Sequence, residues 1–556
     1  KGKIARAMEV EEIYDLIEKF TEGAWRVQQA GFDAVELHAA HGYMIAQFMN
    51  PVTNKRTDRF GGSYENRMRF ILEIIKGIQR KCGKDFPILV RYSAEEWMPG
   101  HRELQESLKI AKTLEEAGVA ALDISAGTFE ASETVMDPMY FHQGWNTYAA
   151  AAVKEVVNIP VITSHSLRDP KYCDLIIKEG KADLVGLSRQ MVADPYWAKK
   201  AMYGQEEDIR KCISCLVGCW KESLMIKQEM RCAINPAMGD TRFLHMTKTD
   251  KPMNIAIVGG GIAGMEAARI ASVRGHKCTI FEKENELGGI LRSCCMVPTK
   301  TKMKWYMNWL RRQIEKLGVT VNLRTEAKIE DLREYDAVLC GTGAETVIPN
   351  IPGAEKGIRF NDILICQNKK CPYWPEEGKK EPAPVGEQIV IWGDHYAAAD
   401  TAEAMGLKGK KITIITENKE FGQDLEPVHK EVMKRRFQMK NGYGLKGIPY
   451  KYPVDVLTET TILEVKDHEV ICIGKDLKQF AVPCETLIYC KTKENTRLFD
   501  SLKAAGLNVV NMGDSKKVRN VRGAMTDGTN AGLVIEDGMF MNANGCLTTP
   551  LPLDCR

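Results

Sequence analysis

The sequence has almost no excess of charge of either sign, and this limits the partners that the protein can have. Its 77 Lys and Arg residues are nearly balanced by 74 Asp and Glu residues, so the formal net charge is only +3 over 556 residues. Nucleic acids and anionic membranes attract proteins that carry a clear excess of positive charge. We therefore expect small-molecule partners, and neither nucleic acid nor a membrane.

Long apolar runs are also lacking. No stretch of about 18 uncharged apolar residues is present, and the first residues (KGKIARAMEVEEIYDL) lack the apolar core of a signal peptide. These absences predict a soluble, cytoplasmic protein. The 17 cysteines are then expected to be thiols and metal ligands, because disulfides accumulate in exported proteins.

The composition is that of a folded protein with more than one domain. Hydrophobic residues make up 44% and charged residues 27% of the chain, a balance that excludes general disorder. Because 556 residues exceed what one hydrophobic core usually organises, we expect two or three domains.

Residues 1–203 alternate short apolar runs with amphipathic helical stretches, the pattern of β/α units with buried parallel strands. The five expected strands are AVELH (34–38), PILVR (87–91), AALDIS (120–125), IPVIT (159–163) and ADLVGL (182–187). Five strands cannot close a barrel of eight. A (β/α)8 TIM barrel over this region would therefore lack its first three strands, and the chain would be a fragment of a longer protein.

The remainder of the chain is expected to form an iron-sulfur segment and two Rossmann-like nucleotide-binding domains, within an α/β fold class. A Cys-rich irregular stretch occupies 204–250, and a strand, glycine turn, helix and strand open the first nucleotide-binding domain at 251–385. A second unit of this kind covers 386–475. The chain then returns to the first domain and ends in a C-terminal tail over 476–556.

Four cysteines have the spacing C-x2-C-x3-C-x12-C: Cys212, Cys215, Cys219 and Cys232. Three thiolates on a tight turn and a fourth that returns later can hold a [4Fe-4S] cluster. A structural zinc site is the alternative, because four thiolates also suit tetrahedral zinc, but zinc sites more often pair C-x2-C with a second C-x2-C. The spacing favours the cluster.

The first glycine turn is Gly259-x-Gly261-x-x-Gly264, between a strand and a helix, and Glu282 ends the next strand. The glycines allow the backbone to approach a pyrophosphate at the helix N-terminus, and Glu282 can accept hydrogen bonds from ribose hydroxyls. A glycine turn that binds nothing is the alternative, and the complete strand and helix context disfavours it. Further candidate flavin-binding residues follow in later turns: Gly289, Gly343, Gly513 and Asp514.

The second glycine turn is degenerate. Gly393, His395 and Ala398 stand where three glycines are expected, and His395 places a ring where the backbone should approach the pyrophosphate. Glu417, at the end of the following strand, still suits a ribose. A nicotinamide site and a nucleotide-binding fold kept for packing both remain open here.

Three polar side chains follow the first strand within HAAHGY: His38, His41 and Tyr43. The carboxyl ends of barrel strands form the active-site face, where two imidazoles can hydrogen-bond an oxygen that gains negative charge and a phenol can deliver a proton. Each residue alone is more simply a packed structural side chain, but their clustering at one strand end favours catalysis. Arg91 also ends a strand, where it can pair with a flavin or with a local carboxylate.

The segment HAAHGYMIAQFMNPVTNKRTDRFGGSYENRMRF (38–70) resembles the Old Yellow Enzyme family, whose barrels bind FMN. Together with CISCLVGC, RCAINP and GGGIAGMEAA, it is similar to the larger branch of that family. This branch contains 2,4-dienoyl-CoA reductase, bacterial enoate and bile-acid ene-reductases, and trimethylamine dehydrogenase. The resemblance covers nearly the whole chain and implies a homo-oligomer.

The resemblance implies a role for each residue of the barrel motif. His38 and His41 match the pair that binds the oxygen of an activated alkene, and Tyr43 matches the proton donor. Arg91 corresponds to the arginine near flavin N1 and O2, where positive charge stabilises reduced flavin.

The match to the phosphate-binding elements of the family is incomplete. Arg189 matches the arginine after the last strand, but Ser188 stands where a glycine precedes it. The glycine-containing loop after the preceding strand is SHSLRDP (164–170) in this chain. Residues AGTFEAS (126–132) also lack the second catalytic His of dienoyl-CoA reductase, which weakens an assignment to CoA thioesters.

The resemblance implies an ene-reductase that reduces the C=C bond of an α,β-unsaturated carbonyl or carboxylate. The implied cofactors are FMN, FAD or ADP in its place, a [4Fe-4S] cluster, and NADH or NADPH. Electrons would come from NAD(P)H or from a protein donor such as an electron-transfer flavoprotein or a ferredoxin. Two alternatives remain: an amine dehydrogenase or demethylase that donates to an electron-transfer flavoprotein, and a non-catalytic electron-transfer subunit.

Overall fold

The computed structural model describes residues 6–364, 382–438 and 454–535. The chain divides into two compact units, residues 1–191 and 192–556. Each unit is an α/β fold built mainly on parallel sheets, as the sequence predicts. Within the described ranges, no helix is both long and apolar enough to cross a membrane.

The first unit contains one parallel sheet, whose strands lie side by side in chain order. They are β1 (Val35–Ala39), β2 (Ile88–Ser93), β3 (Ala121–Ser125), β4 (Val161–Thr163) and β5 (Leu184–Val185). The five predicted strands are thereby confirmed. The helices that begin in this unit are α1 (Val10–Gln29), α2 (Met44–Met49), α3 (Tyr64–Cys82), α4 (Leu104–Glu116), α5 (Ser132–Val135), α6 (Thr147–Lys154), α7 (Pro170–Lys178) and α8 (Arg189–Ala193).

Helix α3 shows why these segments fold as they do. The Ser63 side chain accepts a hydrogen bond from the backbone N–H of Asn66 and so caps the helix N-terminus. The helix ends before Gly83, whose φ of 89° is a conformation that glycine adopts without strain. Ile74 and Ile78 lie on its fully buried face. Because each such side chain contributes about 1.5–3 kcal/mol on burial, this face holds the helix in the core.

The second unit contains, near its start, an irregular segment with a π-helix at Val217–Met225. Its strands are β6 (Asn254–Val258), β7 (Lys277–Phe281), β8 (Thr320–Asn322), β9 (Ala337–Cys340), β10 (Ala344–Thr346), β11 (Ile358–Arg359), β12 (Gln388–Trp392), β13 (Lys411–Ile415), β14 (Val454–Leu457), β15 (Thr461–Val465), β16 (Glu469–Ile473), β17 (Gln479–Pro483), β18 (Thr486–Tyr489), β19 (Thr492–Glu494) and β20 (Val509–Asn511). Its helices are α9 (Trp197–Met202), α10 (Ile262–Val273), α11 (Leu291–Cys294), α12 (Met303–Lys316), α13 (Ile329–Leu332), α14 (Tyr396–Leu407), α15 (Pro427–Gln438), α16 (Arg497–Ala504) and α17 (Val521–Val534).

The first sheet of this unit is parallel and has the strand order β20-β9-β6-β7-β8. Helix α17 packs against α10 with almost no space between the two backbones. A Cβ on Gly528 of α17 would collide with the carbonyl oxygen of Ala263 on α10, so only glycine allows this approach. The turns after β6, β9 and β20 meet at the carboxyl edge of this sheet.

The second sheet is also parallel, in the order β11-β18-β12-β13-β14. Strands β15, β16 and β17 form a separate antiparallel sheet, and β10 pairs with β19. Because β18 pairs with β12, the second sheet extends beyond the boundary expected at 475. The chain returns to the first sheet only with β20, and the C-terminal tail from 536 lies outside the described residues.

Candidate functional site

The carboxyl ends of β1, β2 and β3 bring polar side chains to one level of the first unit's sheet. His38 on β1 is the register partner of Arg91 on β2, and Arg91 is the register partner of Asp123 on β3. The Arg91 guanidinium lies 3.2 Å from the Asp123 carboxylate. An imidazole, a guanidinium and a carboxylate therefore form one row across three adjacent strands.

The turn after β1 places His41 and Tyr43 beside His38. His41 and Gly42 both have a left-handed backbone, with φ of 62° and 76°, which reverses the chain directly after the strand. The ring centroid of His38 lies 4.9 Å from that of His41 and 5.3 Å from that of Tyr43. Tyr43 is 49% exposed, whereas His41 is buried. The structure thus brings the three predicted catalytic residues together.

Two side chains that sequence reasoning missed complete this group. Ser125, the last residue of β3, has its Oγ 2.7 Å from His41 Nε2 and 3.1 Å from His165 Nε2. It also accepts a hydrogen bond of 3.3 Å from Arg91. Ser125 and His165 both lie at the carboxyl ends of parallel strands, and that position was the signal that could have identified them.

Burial and nearby positive charge keep both histidines of the motif neutral. Burial, followed by the charge of Arg91, lowers the pKa of His41 to about 2, and the same two causes lower the pKa of His38. Burial also raises the pKa of Asp123, although Arg91 opposes this shift. Each neutral imidazole has one N–H to donate to an oxygen.

The arginine expected to bind the FMN phosphate begins α8. Arg189 donates a hydrogen bond of 2.9 Å to the backbone carbonyl of Asp137 and forms an ion pair with the carboxylate of the same residue. Ser188 precedes it, and its backbone carbonyl accepts a hydrogen bond from the N–H of Met191. Ser188 and Arg189 therefore occupy the turn into α8, and a phosphate would have to share the Arg189 guanidinium with Asp137.

Several buried polar atoms near these strand ends have no hydrogen-bond partner among the described residues. They include the hydroxyl oxygens of Thr163 and Ser166, the Nε of Arg91 and the carboxylate oxygen Oδ1 of Asp123. A buried polar group without a partner is costly unless a ligand or water satisfies it. The donors present therefore fit a phosphorylated flavin.

The first glycine turn has the close packing that its motif requires. Gly259 has a φ of 102°, and a Cβ on Gly264 would collide with its carbonyl oxygen. Gly261 caps α10, and the nearest atom to a Cβ placed there would be 4.0 Å away, which leaves space for a pyrophosphate. The Glu282 carboxylate accepts a hydrogen bond of 2.7 Å from the backbone N–H of Gly260. This cradle fits a dinucleotide.

The other predicted flavin-binding residues surround the same turn. Gly289 lies against Gly261, since a Cβ on Gly289 would be 3.0 Å from the Cα of Gly261. Gly343, with a φ of 77°, follows β9 and has open space around it. Gly513, with a φ of 66°, and Asp514 follow β20. Burial raises the pKa of Asp514 to about 6, so this carboxyl can exchange a proton near neutral pH.

The second turn has the shape of a nucleotide-binding turn without its full set of glycines. Gly393 keeps a φ of 147°, a region that favours glycine. His395 is the N-cap residue of α14, and Ala398 is buried in the first turn of that helix. The histidine therefore stands at the helix N-terminus where a pyrophosphate would have to bind.

The carboxylate predicted to bind a ribose in this domain already has protein partners. Glu417 accepts a hydrogen bond of 2.9 Å from the indole N–H of Trp392. It also forms an ion pair with Lys491, which helps to lower the pKa of Glu417 against the opposing effect of burial. A ribose would have to share this carboxylate with both side chains.

The four cysteines lie in two segments that pack directly on each other. A Cβ on Gly218 would lie 2.5 Å from the carbonyl oxygen of Arg231, the residue before Cys232. Only glycine at position 218 therefore allows the two segments to come this close. Ser214 and Leu216, on either side of Cys215, have left-handed φ values of 53° and 58°. These two residues fold the first segment into a tight irregular turn.

The thiols of this quartet influence one another electrostatically. Burial, followed by Cys219, Cys232 and Cys212, raises the pKa of Cys215 well above its usual value. Four half-buried thiols that must ionise together need a metal charge to compensate them, which is the donor chemistry of a [4Fe-4S] cluster. Within the described part of the chain, no three His, Cys, Asp or Glu side chains converge as ligands of a single ion.

Comparisons with known families cover both units. Residues 1–208 match the NADH:flavin oxidoreductase / NADH oxidase family, and residues 253–516 match the pyridine nucleotide-disulphide oxidoreductase family. The first match contains β1–β5 and the histidine cluster. The second contains both glycine turns.

The relatives that match include an oxidase, a reductase and a dehydrogenase. An NADH oxidase from Thermoanaerobacter brockii is 37% identical over 95% of this chain and 78% of its own length. A cinnamate reductase from Clostridium sporogenes is 33% identical over 74% of this chain and 62% of its own. An N,N-dimethylglycine/sarcosine dehydrogenase from Chromohalobacter salexigens is 30% identical over 74% of this chain and 60% of its own. The solved structure of a 2-naphthoyl-CoA reductase complex matches with a TM-score of 0.86 and 28% identity, over 95% of this chain and 77% of that chain.

Proposed function

Because the chain belongs to the NADH:flavin oxidoreductase / NADH oxidase family, we propose that it reduces the C=C bond of an α,β-unsaturated carbonyl or carboxylate compound. The protein is an oxidoreductase, and its relatives agree with the resemblance to the larger branch of the Old Yellow Enzyme family. The assignment to alkene reduction rests on the side chains at the end of β1.

One observation carries this assignment: His38, His41 and Tyr43 lie in one cluster at a strand's carboxyl end. Addition of hydride to the β-carbon of a conjugated alkene moves negative charge onto the carbonyl or carboxylate oxygen. Two neutral imidazoles beside that oxygen can each donate an N–H to it. The exposed phenol of Tyr43 can protonate the α-carbon and complete the reduction.

The chain offers a set of residues for each proposed cofactor. Bound FMN would supply the hydride, and FAD and the cluster would supply the electrons that renew it. Arg91 would contact the flavin ring, and Arg189 with Ser188 would hold the FMN phosphate. The turn after β6, with Glu282 and Asp514, would hold FAD, or ADP in its place. The cluster would be held by Cys212, Cys215, Cys219 and Cys232.

An aromatic side chain beside His38, His41 and Tyr43 suits a planar, conjugated substrate. The ring of Phe129, which follows β3, lies 5.0 Å from that of Tyr43 in an edge-on arrangement and is 45% exposed. Flat π systems pack well against such rings. We therefore place aryl enoates in the proposed substrate class, in keeping with the cinnamate reductase among the relatives.

Anaerobic turnover with two panels of compounds tests the proposal. The holoenzyme receives reduced methyl viologen with enones, enoates and cinnamate, and separately an artificial electron acceptor with methylated amines. We expect mass spectrometry to show saturated products from the first panel and unchanged amines in the second. Amine oxidation without alkene reduction would overturn the proposal.

Amine oxidation is the second candidate, and the observation that favours it is His395 at the N-terminus of α14. A histidine at this point opposes binding of NAD(P)H in the second nucleotide-binding domain. An amine dehydrogenase needs no such binding, because it gives electrons to an acceptor such as an electron-transfer flavoprotein. Stopped-flow reduction by NADH and by NADPH measures this directly. Flavin bleaching by either nucleotide counts against the second candidate. If neither nucleotide bleaches the flavin, an alkene reductase would have to take its electrons from a protein donor such as a ferredoxin.

A further inference from the structure

A tyrosine hydroxyl lies inside the second unit without a protein partner. The Tyr306 side chain on α12 is completely buried, and its hydroxyl oxygen has no hydrogen-bond partner among the described residues. A buried hydroxyl that loses water without gaining another partner destabilises the fold, so such groups in native proteins are rare. A bound group that accepts a hydrogen bond would explain this one.

The ring of Tyr306 belongs to a stack on α12. It lies parallel to the ring of Trp309, with 6.1 Å between centroids and 15° between planes. The Trp309 indole N–H donates a hydrogen bond of 3.0 Å to the backbone carbonyl of Asp208. The Arg210 guanidinium lies over the same indole, 4.5 Å from its centroid. This face of α12 therefore packs against the chain that leads into the four cysteines.

Arg210 also connects this face to the chain that follows the last cysteine. Its guanidinium donates a hydrogen bond of 2.9 Å to the backbone carbonyl of Ile234. Arg210 comes two residues before Cys212, and Ile234 comes two residues after Cys232. The stack that contains Tyr306 thus lies against both ends of the segment 212–232, which carries all four proposed cluster ligands.

The hydroxyl of Tyr306 is a neutral donor. Burial, followed by the charges of Glu266 and Cys232, raises the pKa of Tyr306 well above its usual value, although Arg210 and Arg269 oppose this shift. The phenol therefore keeps its proton and has one O–H to donate. The influence of Cys232 agrees with the packing, which places the ring near the cysteine segment.

The carboxylate of Glu266, on α10, does not accept this proton. Its two oxygens accept hydrogen bonds of 3.0 Å and 2.7 Å from Arg269, and one of them also accepts a hydrogen bond of 3.4 Å from the Thr529 hydroxyl. No hydrogen bond joins it to Tyr306. The sulfur atoms held by the four cysteines are then the acceptors that the packing brings near the phenol.

We infer that the Tyr306 hydroxyl donates a hydrogen bond to a sulfur atom of the [4Fe-4S] cluster and so raises the reduction potential of the cluster, an inference that rests on the cofactors proposed above. Hydrogen bonds to the sulfur atoms are one of the factors that set the potential of such clusters. Reduction adds negative charge to the acceptor, and a donor binds a more negative acceptor more strongly. The hydrogen bond therefore stabilises the reduced state more than the oxidised state.

Potentiometric titration of the holoenzyme, followed by the EPR signal of the reduced cluster, tests this inference. Tyr306→Phe keeps the ring and removes only the hydroxyl, so iron and sulfide contents should stay native. At a fixed potential, we expect the ratio of reduced to oxidised cluster to fall about 2- to 10-fold, which is a shift of about 20–60 mV to more negative values. An unchanged or more positive potential would overturn the inference.

Tyr489→Phe is the matched control. Tyr489 on β18 is also completely buried, but its hydroxyl donates a hydrogen bond of 2.6 Å to the backbone carbonyl of Ala354. Because this variant leaves a buried carbonyl without its donor, it should unfold at a lower temperature and keep the native cluster potential. Equal shifts of potential in the two variants would show a general effect of packing and would refute a specific role for Tyr306.

Electron–nuclear double resonance of the reduced cluster gives a second readout, with protein prepared in H2O and in D2O. We expect the native protein and Tyr489→Phe to share one exchangeable proton coupling that Tyr306→Phe lacks. The same set of couplings in all three proteins would contradict the hydrogen bond.

The failure of this inference can be distinguished from the failure of the proposed cofactors. A native protein without iron would refute the cluster and, with it, the role of Tyr306. Full iron content with an unchanged potential in Tyr306→Phe would refute the role of Tyr306 alone. The titration needs no substrate, so its result stands whether or not the enzyme reduces an alkene.

Discussion

His38 and Arg91 stand at the same level of neighbouring parallel strands, as register partners on β1 and β2. Arg91 also contacts Asp123 at 3.2 Å and Ser125 at 3.3 Å. The Arg91 guanidinium therefore lies between His38, which is proposed to bind the substrate oxygen, and the Asp123 carboxylate, which balances the positive charge of Arg91. After burial, its charge is what lowers the pKa of His38, and the imidazole is then a neutral donor.

Tyr43→Phe removes the phenolic proton and keeps the ring that packs on His38 and Phe129. We expect the rate of flavin reduction to be unchanged and the rate of alkene reduction to fall by about 10²- to 10⁴-fold, the usual contribution of a general acid. Stopped-flow measurement of both half-reactions separates these rates. Tyr14→Phe, on the exposed side of α1, is the control with native rates. Equal slowing of both half-reactions would contradict a proton-donor role.

Cys219→Ser removes one of the four proposed cluster ligands. We expect iron and acid-labile sulfide to be lost together, with the broad visible absorption of the cluster, because a hydroxyl is a poor substitute for a thiolate ligand. Cys82→Ser, a half-buried cysteine at the end of α3, should retain full iron content. Metal analysis of the native protein that finds zinc and no iron would refute the cluster assignment.

Gly218→Ala should reduce iron content although it removes no thiol. The added Cβ would lie 2.5 Å from the carbonyl oxygen of Arg231, so the segment that carries Cys232 must shift. Overpacking of this kind costs about 1–3 kcal/mol, and iron analysis with thermal unfolding measures both effects. Gly23→Ala on α1 is the control, because a Cβ there meets no atom within 4 Å. It should keep its iron and gain up to about 1 kcal/mol of helix stability, so equal iron contents in the two variants would exclude the proposed packing role.

Glu426→Gln should change how stability depends on pH. Burial raises the pKa of Glu426 to about 7 from an ordinary value of 4.5. For a raised pKa, the contribution to stability is complete below pH 4.5 and is lost as pH rises through 7. Glutamine does not ionise, so the variant should match the native protein near pH 5 and exceed it near pH 8 by up to about 3 kcal/mol.

Thermal unfolding at the two pH values checks this expectation. Glu431→Gln, whose side chain is 58% exposed on α15, is the control and should show no such pH dependence. Identical stability of Glu426→Gln and the native protein near pH 8 would show that the Glu426 carboxyl ionises there without penalty.

The parts of the fold that could be predicted depend on neighbouring residues. Strands β1–β5 follow from buried apolar runs, and the turn at Gly259 and Gly264 follows from the backbone freedom that a strand-to-helix turn needs. The extent of the second sheet was not predictable in this way. Strand β18 joins it by pairing with β12, which lies far earlier in the chain.

The candidate site shows the same division. The spacing of His38, His41 and Tyr43 placed all three at one strand end, because a strand and its following turn keep near neighbours together. Ser125 is 84 positions from His41, and His165 is a further 40 positions from Ser125. No local pattern connects these residues.

By itself the sequence determined which local structures form and which side chains can do chemistry: the strand runs, the glycine turn, the cysteine spacing and the histidine motif. Only the tertiary structure decided the partners of these side chains. It placed Ser125 and His165 beside His41, Arg91 beside Asp123, and Arg189 on Asp137. The physical reason is that parallel strands bring their carboxyl ends to one edge of a sheet whatever their separation in the chain.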